Sequence, residues 1–489
     1  MLFNSWQFGL FLPVVFGLYW ALPHKYRWIL LFIASYYFYM SWNAKYVVLI
    51  LFTTIISYLA ALLLSKYKSK AVRQTILWLT LIACLGVLFI FKYFNFFSES
   101  LSFMAVKIGI QLHPVTLRLL LPVGISFYTF QTLSYVIDVY RGQVQPERHF
   151  GIYATFISFF PQLVAGPIER TSNLLHQIKA EHVFSYNQAT YGLKLMAWGF
   201  FKKLCIADNF AVYVDKVYND IYGFHGFALL LVSFLFTIQI YCDFSGYSDI
   251  ARGTAHLFGI KLMDNFRSPY FASSIRDFWS RWHISLSTWF RDYVYIPLGG
   301  NRVSKVRHNL NLLITFVISG LWHGANWTFI IWGAIHGLAQ VVENAFFPQR
   351  KTQAQRETQV GKSKLVRIVR VFFVFTFCML AWIFFRAQTF GEALYVFQNM
   401  FVGITKPISY LHSGFTDITL GKKLFASFCL SLLILAVKDF ICFDGQRDPI
   451  QGISQRRVVV RWIWYVAFIM FYLTTLHTST TQEFIYFQF

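Results

Sequence analysis

The sequence predicts an all-α polytopic membrane protein, with about twelve transmembrane helices and further re-entrant or interfacial ones. Composition is the first reason. Of 489 residues, 57% are hydrophobic, 20% aromatic and 13% charged, too apolar for a soluble enzyme carrying one anchor. The second reason is that the apolar residues fall in successive runs of roughly the 20 residues a helix needs to cross a bilayer. The third is where the charge sits. A net charge of +22 could suggest nucleic acid, but the cations cluster in loops between apolar runs and no recognition module accompanies them. Membrane lipid is the expected surrounding and nucleic acid is excluded as a partner.

In chain order the apolar runs lie near 8–22, 28–42, 46–64, 75–97, 117–137, 151–165, 188–206, 227–246, 309–347, 366–385, 424–442 and 458–476. The first lacks the basic flank and small-residue site of a cleavable signal peptide. Basic loops at 24–27, 66–73, 141–148, 350–370 and 446–461 alternate with poorly charged ones. Placing the basic loops inside puts both termini outside the cytoplasm, in a bacterial inner membrane. A short helix is expected around Phe390–Phe401 in an external loop. The chain reads as one membrane domain, 1–489, with core motifs over 121–347 and C-terminal spans and an aromatic tail over 366–489. Six cysteines without a CxxC pair indicate neither a disulfide framework nor a zinc knuckle.

The stretch Phe278 to Gly337 holds His283, His323 and His336 among apolar and aromatic residues. An ionisable side chain at membrane depth is costly and marks a candidate functional site. The apolar run 309–347 is too long for one crossing, and Gly320 and Gly324 bracket the expected break. That puts His323 beside a helix interruption, where free backbone groups can line a cavity. His336 shares a helix face with Glu343, which favours a paired structural histidine. Phe278, Trp282, Leu286, Trp289 and Tyr293 recur at three- or four-residue spacing, the pattern of an amphipathic helix. Five charged residues nearby favour an interfacial or re-entrant placement, from which His283 could approach His323.

Several blocks resemble the membrane-bound O-acyltransferase (MBOAT) superfamily, in its bacterial branch that acetylates alginate and peptidoglycan. They are LPVGISFYTFQTLSYVIDVYRG at 121–142, FFPQLVAGPIER at 159–170, YCDFSGYSDIARGTAHLFGIKL at 241–262, NFRSPY at 265–270, FWSRWHISLSTWFRDYVYIPLGG at 278–300 and GLWHGANWTFIIWGAIHG at 320–337. The resemblance implies a ring of helices around a transmembrane tunnel, and a polymer O-acetyltransferase drawing on cytoplasmic acetyl-CoA as a substrate, with no bound cofactor. By motif, His323 takes the place of the family's near-invariant histidine and His283 that of its second. Trp322 and Asn326, in the His323 block, join the expected substrate- and donor-binding set.

Acyl transfer to a hydroxyl needs a base effective near neutrality, which an imidazole supplies. A phosphate-bearing donor would favour Arg302, Lys305 and Arg307, just before the His323 run, although such cations also arise as plain topology signals. The structural alternative for His323 is a satisfied core histidine, and for His283 a polar anchor in an aromatic face. No HExxH or tight histidine spacing indicates metal. Ser245 and Ser248 beside Asp243 and Asp249 lack a nucleophile elbow, so the two carboxylates read as buried hydrogen-bonding groups. The ending EFIYFQF, 483–489, holds four aromatics and should be buried. It resembles a C-terminal tyrosine motif of bacterial polymer-acylation proteins, which makes Tyr486 a candidate acyl relay. The acetyl group is either delivered to the polymer directly or handed to a separate extracytoplasmic partner. No such catalytic domain is read in this sequence, which favours the hand-off, and the partner expected with the resemblance is an SGNH-hydrolase-like acetyltransferase. The competing readings are a D-alanyl transferase for teichoic acid and a transporter of polymer or lipid-linked precursor.

Overall fold

The structure is a computed structural model that describes residues 1–346, 364–443, 445, 448–475 and 484–485. Among them the regular elements are all helical and no strand occurs. In chain order the α-helices are α1 (Trp6–Ala21), α2 (His24–Asn43), α3 (Val47–Lys66), α4 (Lys70–Leu88), α5 (Phe94–Lys107), α6 (Ile125–Tyr140), α7 (Phe150–Ser158), α8 (Thr171–Lys179), α9 (Tyr186–Phe200), α10 (Asp208–Tyr218) and α11 (Phe227–Leu257). They continue as α12 (Ile275–Arg281), α13 (Ile284–Phe290), α14 (Lys305–His323), α15 (Trp327–Phe346), α16 (Lys364–Arg386), α17 (Phe390–Asn399), α18 (Pro407–Asp417), α19 (Lys422–Cys442), α20 (Pro449–Ser454) and α21 (Val458–Thr475).

Among the described residues, six segments are long and apolar enough to cross a membrane: His24–Lys66, Lys70–Lys107, Phe227–Leu257, Leu365–Arg386, Lys422–Cys442 and Val458–Thr475. The first is two helices, because Asn43 is extended (φ −159°, ψ 109°) and turns the chain between α2 and α3. The run spacing predicts about twelve crossings, and two runs show why fewer helices reach that length among the described residues. The run at 117–137 becomes helical only at Ile125, after Gly124 in the left-handed region (φ 75°), where a Cβ would lie 2.6 Å from the Leu163 carbonyl. The run at 151–165 leaves the helix at Ser158, just before Phe159-Phe160-Pro161.

The chain forms two compact units. The first, Met1–Ala197 with Tyr247–Met263, has a core of Phe38, Tyr39, Tyr128, Tyr135, Tyr153, Phe156 and Phe160. Polar groups inside it are matched locally. Ser57 and Tyr153 share a 2.6 Å hydrogen bond, Gln131 donates to the Phe156 carbonyl at 2.8 Å, and Ser35 Oγ accepts from Phe160 N–H at 3.0 Å. Glu169 of the FFPQLVAGPIER block is fully buried and accepts from Met263 N–H and Asn173 Nδ2, both at 2.6 Å.

The second unit is Trp198–Gly246 with Asp264–Phe489. Its α14 and α15 pack as a hairpin. A Cβ on Gly320 would lie 2.2 Å from the Phe329 carbonyl, and one on Gly333 would lie 2.3 Å from that of Phe316. The glycines therefore let the two backbones meet. Gly320 is inside α14 and does not break it; the break comes at Gly324, so His323 is the last residue of the helix. Between α16 and α19, where one short helix is expected around Phe390–Phe401, two occur, α17 and α18.

The single amphipathic helix expected over 278–293 is a correction. Two short helices, α12 and α13, stand there, followed by a π-turn at Arg291–Tyr295. The chain breaks at Trp282–His283, where His283 takes a left-handed conformation (φ 42°, ψ 54°). Phe278 and Trp282 still stack, with ring centroids 5.5 Å apart, so the periodicity reported a real face over one turn only. The expected His336–Glu343 pairing is also corrected. Glu343 Oε2 accepts the Ile275 N–H at 2.7 Å, at the start of α12, while His336 Nδ1 accepts from Trp279 Nε1 at 3.2 Å. An unsatisfied helix N-terminus is a stronger claim on a carboxylate than a neutral ring.

Candidate active site

His323 enters the site because α14 ends there: Ser304 caps the helix start and Gly324 leaves it in extended conformation. A Cβ on Gly324 would lie 2.1 Å from the Phe329 ring, so that ring closes directly over the helix end. His283 arrives from the other side of the break between α12 and α13. A non-glycine residue with positive φ is uncommon and strained, and it persists where its surroundings hold it. The holding group is Asn265. Its carbonyl accepts from Ile284 N–H at 3.0 Å, and its Oδ1 accepts from Ser285 Oγ at 2.7 Å and Ser285 N–H at 3.2 Å.

The two imidazoles meet. Their ring centroids are 6.3 Å apart, and the residues are 0% and 2% exposed. The walls are aromatic. His323 faces Trp322 at 5.0 Å, Trp332 at 5.1 Å and Phe385 at 5.3 Å, all edge-on. His283 lies edge-on to Phe244 at 4.5 Å and stacks on Phe266 at 6.4 Å. Residues 275–290 lie outside the six segments long and apolar enough to cross a membrane. Burial there pushes the His283 imidazole well below its ordinary pKa and favours the neutral ring. Trp332 stands between His323 and His336, 5.0 Å from the latter. The third histidine therefore sits behind the wall.

The other expected site residues distribute unevenly. Trp322 is buried 6.1 Å from His283 and belongs to the pocket. Asn326 is occupied with the backbone: its Oδ1 accepts from Thr328 N–H at 3.0 Å, capping α15, and its Nδ2 donates to the Gln388 carbonyl at 2.8 Å. Arg302, Lys305 and Arg307 are exposed at the opposite end of α14. At 1.5 Å rise per residue that end is about 27 Å from His323. Buried Asn311 pins the basic loop to the helix by donating to the Leu298 and Gly300 carbonyls at 3.1 and 3.2 Å. Tyr486 lies outside the described residues. Among the described residues no group of three or more His, Cys, Asp or Glu could hold a metal ion.

A second buried polar cluster lies in the same unit. Lys203 Nζ is 2.7 Å from Asp243 Oδ1 and 2.8 Å from Asp208 Oδ1. A π-turn over Phe201–Ala207 brings Lys203 and Asp208 to one face, as Asp208 N–H bonds the Lys203 carbonyl. Gly246 lets α11 approach closely, for its Cβ would sit 2.8 Å from the Gly199 carbonyl. Lys202 Nζ donates to Ser245 Oγ at 2.9 Å. Asp249, in the first unit, pairs separately with Arg252 at 3.3 Å. The carboxylates of the DFSGYSD block are thus buried, partnered groups. The sequence signal for this cluster is Lys202-Lys203 inside an apolar run, because a buried cation calls for buried polar or anionic partners.

This chain is a helix-built, multi-pass membrane protein whose second unit encloses two imidazoles in an aromatic pocket, an arrangement suited to proton transfer away from bulk water. The model of the MBOAT, membrane-bound O-acyltransferase family matches residues 36–385. The chain belongs to that family and is a membrane-bound acyltransferase. It is 40% identical over 465 residues to the probable alginate O-acetylase AlgI of Azotobacter vinelandii, covering 92% of this chain and 87% of that one. It is 37% identical over 434 residues to the peptidoglycan O-acetyltransferase of Helicobacter pylori, covering 82% and 80%. To the teichoic acid D-alanyltransferase of Streptococcus thermophilus it is 30% identical over 280 residues, 54% of this chain and 67% of the relative.

Proposed function

We propose that the protein moves acetyl groups from cytoplasmic acetyl-CoA across the bacterial inner membrane, for O-acetylation of an exported or cell-wall polysaccharide of alginate or peptidoglycan type. The observation that carries this reading is the His283–His323 pair, 6.3 Å apart in its aromatic pocket. His323 acts as general base. It takes the proton from an attacking hydroxyl as the new C–O bond forms at the thioester carbonyl, then returns it to the departing thiolate as the C–S bond breaks. His283 supports that exchange from the facing element, and Trp322 shapes the acyl site. Arg302, Lys305 and Arg307 attract the donor's phosphates. The separation of about 27 Å along α14 suits a donor whose charged end and thioester are joined by a long arm.

The attacking hydroxyl in this reading is Tyr486, which becomes an acetyl ester. A phenol is a better leaving group than an alkyl alcohol, so the ester passes its acetyl on to an extracytoplasmic SGNH-hydrolase-like partner. Both chain termini lie outside the cytoplasm, as the basic loops imply. Acetyl is favoured over D-alanyl as the transferred group because the acetylase relatives match over far more of the chain. His323→Ala should lower polymer acetylation by about 10²–10⁴-fold with normal yield and membrane insertion. Normal acetylation by that variant would remove His323 as the base, and an unaffected transport activity in its place would favour a transporter.

A further inference from the structure

Asp243 has more to do than balance Lys203. Within the triad one cation faces two carboxylates, and Lys203 with Asp208 is already a one-to-one pair at 2.8 Å. The second oxygen of Asp243 points elsewhere: its Oδ2 accepts the backbone N–H of Ile485 at 2.7 Å, 242 residues away in sequence. Ile485 and Phe484 are each 2% exposed. The Phe484 ring lies 5.8 Å from Phe244, which is the ring seated 4.5 Å from His283. An amide and a side chain of the C-terminal tail are therefore held by α11, on the residues adjoining the histidine pocket.

We propose that Asp243 is a positioning residue, a latch that seats the C-terminal tail at Phe484–Ile485 against the Phe244 wall of the histidine pocket for acyl transfer. Lys203 orients the latch, and its carboxylate, a charged acceptor, makes a stronger bond to the tail amide than a neutral group would. The latch grips the backbone, so it works whatever side chains the tail carries elsewhere. Tyr486 is the next residue. The inference rests on the acyl-relay reading only for what the seated tail does, not for where it sits.

The test uses full-length protein in lipid nanodiscs and compares wild type with Asp243→Ala and Ile485→Pro. The first removes the acceptor and leaves the Lys203–Asp208 pair; the second removes the donor and leaves the triad untouched. Hydrogen–deuterium exchange of the tail peptide should be slow in wild type and accelerate by about 10²-fold in both variants, with exchange in α14 and α15 unchanged. Acetyl transfer should fall by about 10²-fold with the KM for acetyl-CoA unchanged, as expected when a reacting segment is misplaced and donor binding is intact. A wild-type tail that exchanges like a free peptide overturns the proposal. So does an Asp243→Ala protein that keeps both tail protection and rate, or a released tail with faster transfer, which would make the tail a plug. Tyr486→Phe tests the relay separately. Full activity there with tail protection lost in Asp243→Ala would leave the latch standing and the relay refuted; the opposite pair of results would do the reverse.

Discussion

The histidine pocket and the Lys203 cluster lie in one unit and are almost equally dry, yet they bury polar groups by opposite means. Around Lys203, charge answers charge: three ionisable side chains, none more than 12% exposed, meet at 2.7 and 2.8 Å. Around His283 and His323 the near neighbours are rings, with Trp322, Trp332, Phe385, Phe244 and Phe266 supplying the walls. A closed ion cluster holds its protons and charges in place, which suits a fastener. An imidazole is the side chain whose ordinary titration lies nearest neutrality, and it can take up and release a proton during a reaction. The difference separates residues that hold from residues that react.

The comparison is sharpest at His283. Asn tolerates the left-handed backbone better than most side chains, so His283→Asn should keep the break between α12 and α13 while removing the imidazole. Acetyl transfer by purified protein should drop by about 10²-fold or more, with Tm shifted by only a few degrees. A large Tm loss would instead place His283 among the holding residues. Lys203→Met should do the converse. It strands two carboxylates in a dry site, at a cost of about 3–5 kcal/mol, seen as poor yield and a lowered Tm in detergent. Normal stability with lost transfer would move Lys203 to the reacting side. The smallest effect is expected at Trp279→Phe, which removes the hydrogen bond to His336 Nδ1. A loss of about 1 kcal/mol in thermal unfolding and a rate within a few-fold of wild type would keep His336 structural. A collapse in rate with unchanged stability would bring the third histidine into the chemistry.

Local features of the chain sufficed for part of this picture. Composition and run length indicate a helical membrane protein, the glycine spacing indicates the interruption that leaves His323 at a helix end, and the motif blocks indicate the family. Each of these is written within a few turns of chain. Other readings failed where a distant group outcompeted a near one. Glu343 shares a helix face with His336 but caps α12 instead. The helical periodicity over 278–293 is interrupted by a left-handed histidine held by Asn265.

What the sequence by itself determined is the class of solvent, the helices, and which residues are chemically able to act. What only the tertiary structure decided is adjacency: His283 beside His323, Trp332 between His323 and His336, and Ile485 on Asp243. The physical reason is range. Hydropathy and helix propensity act over one or two turns, whereas a buried amide, carboxylate or ring must find a partner wherever the fold supplies one.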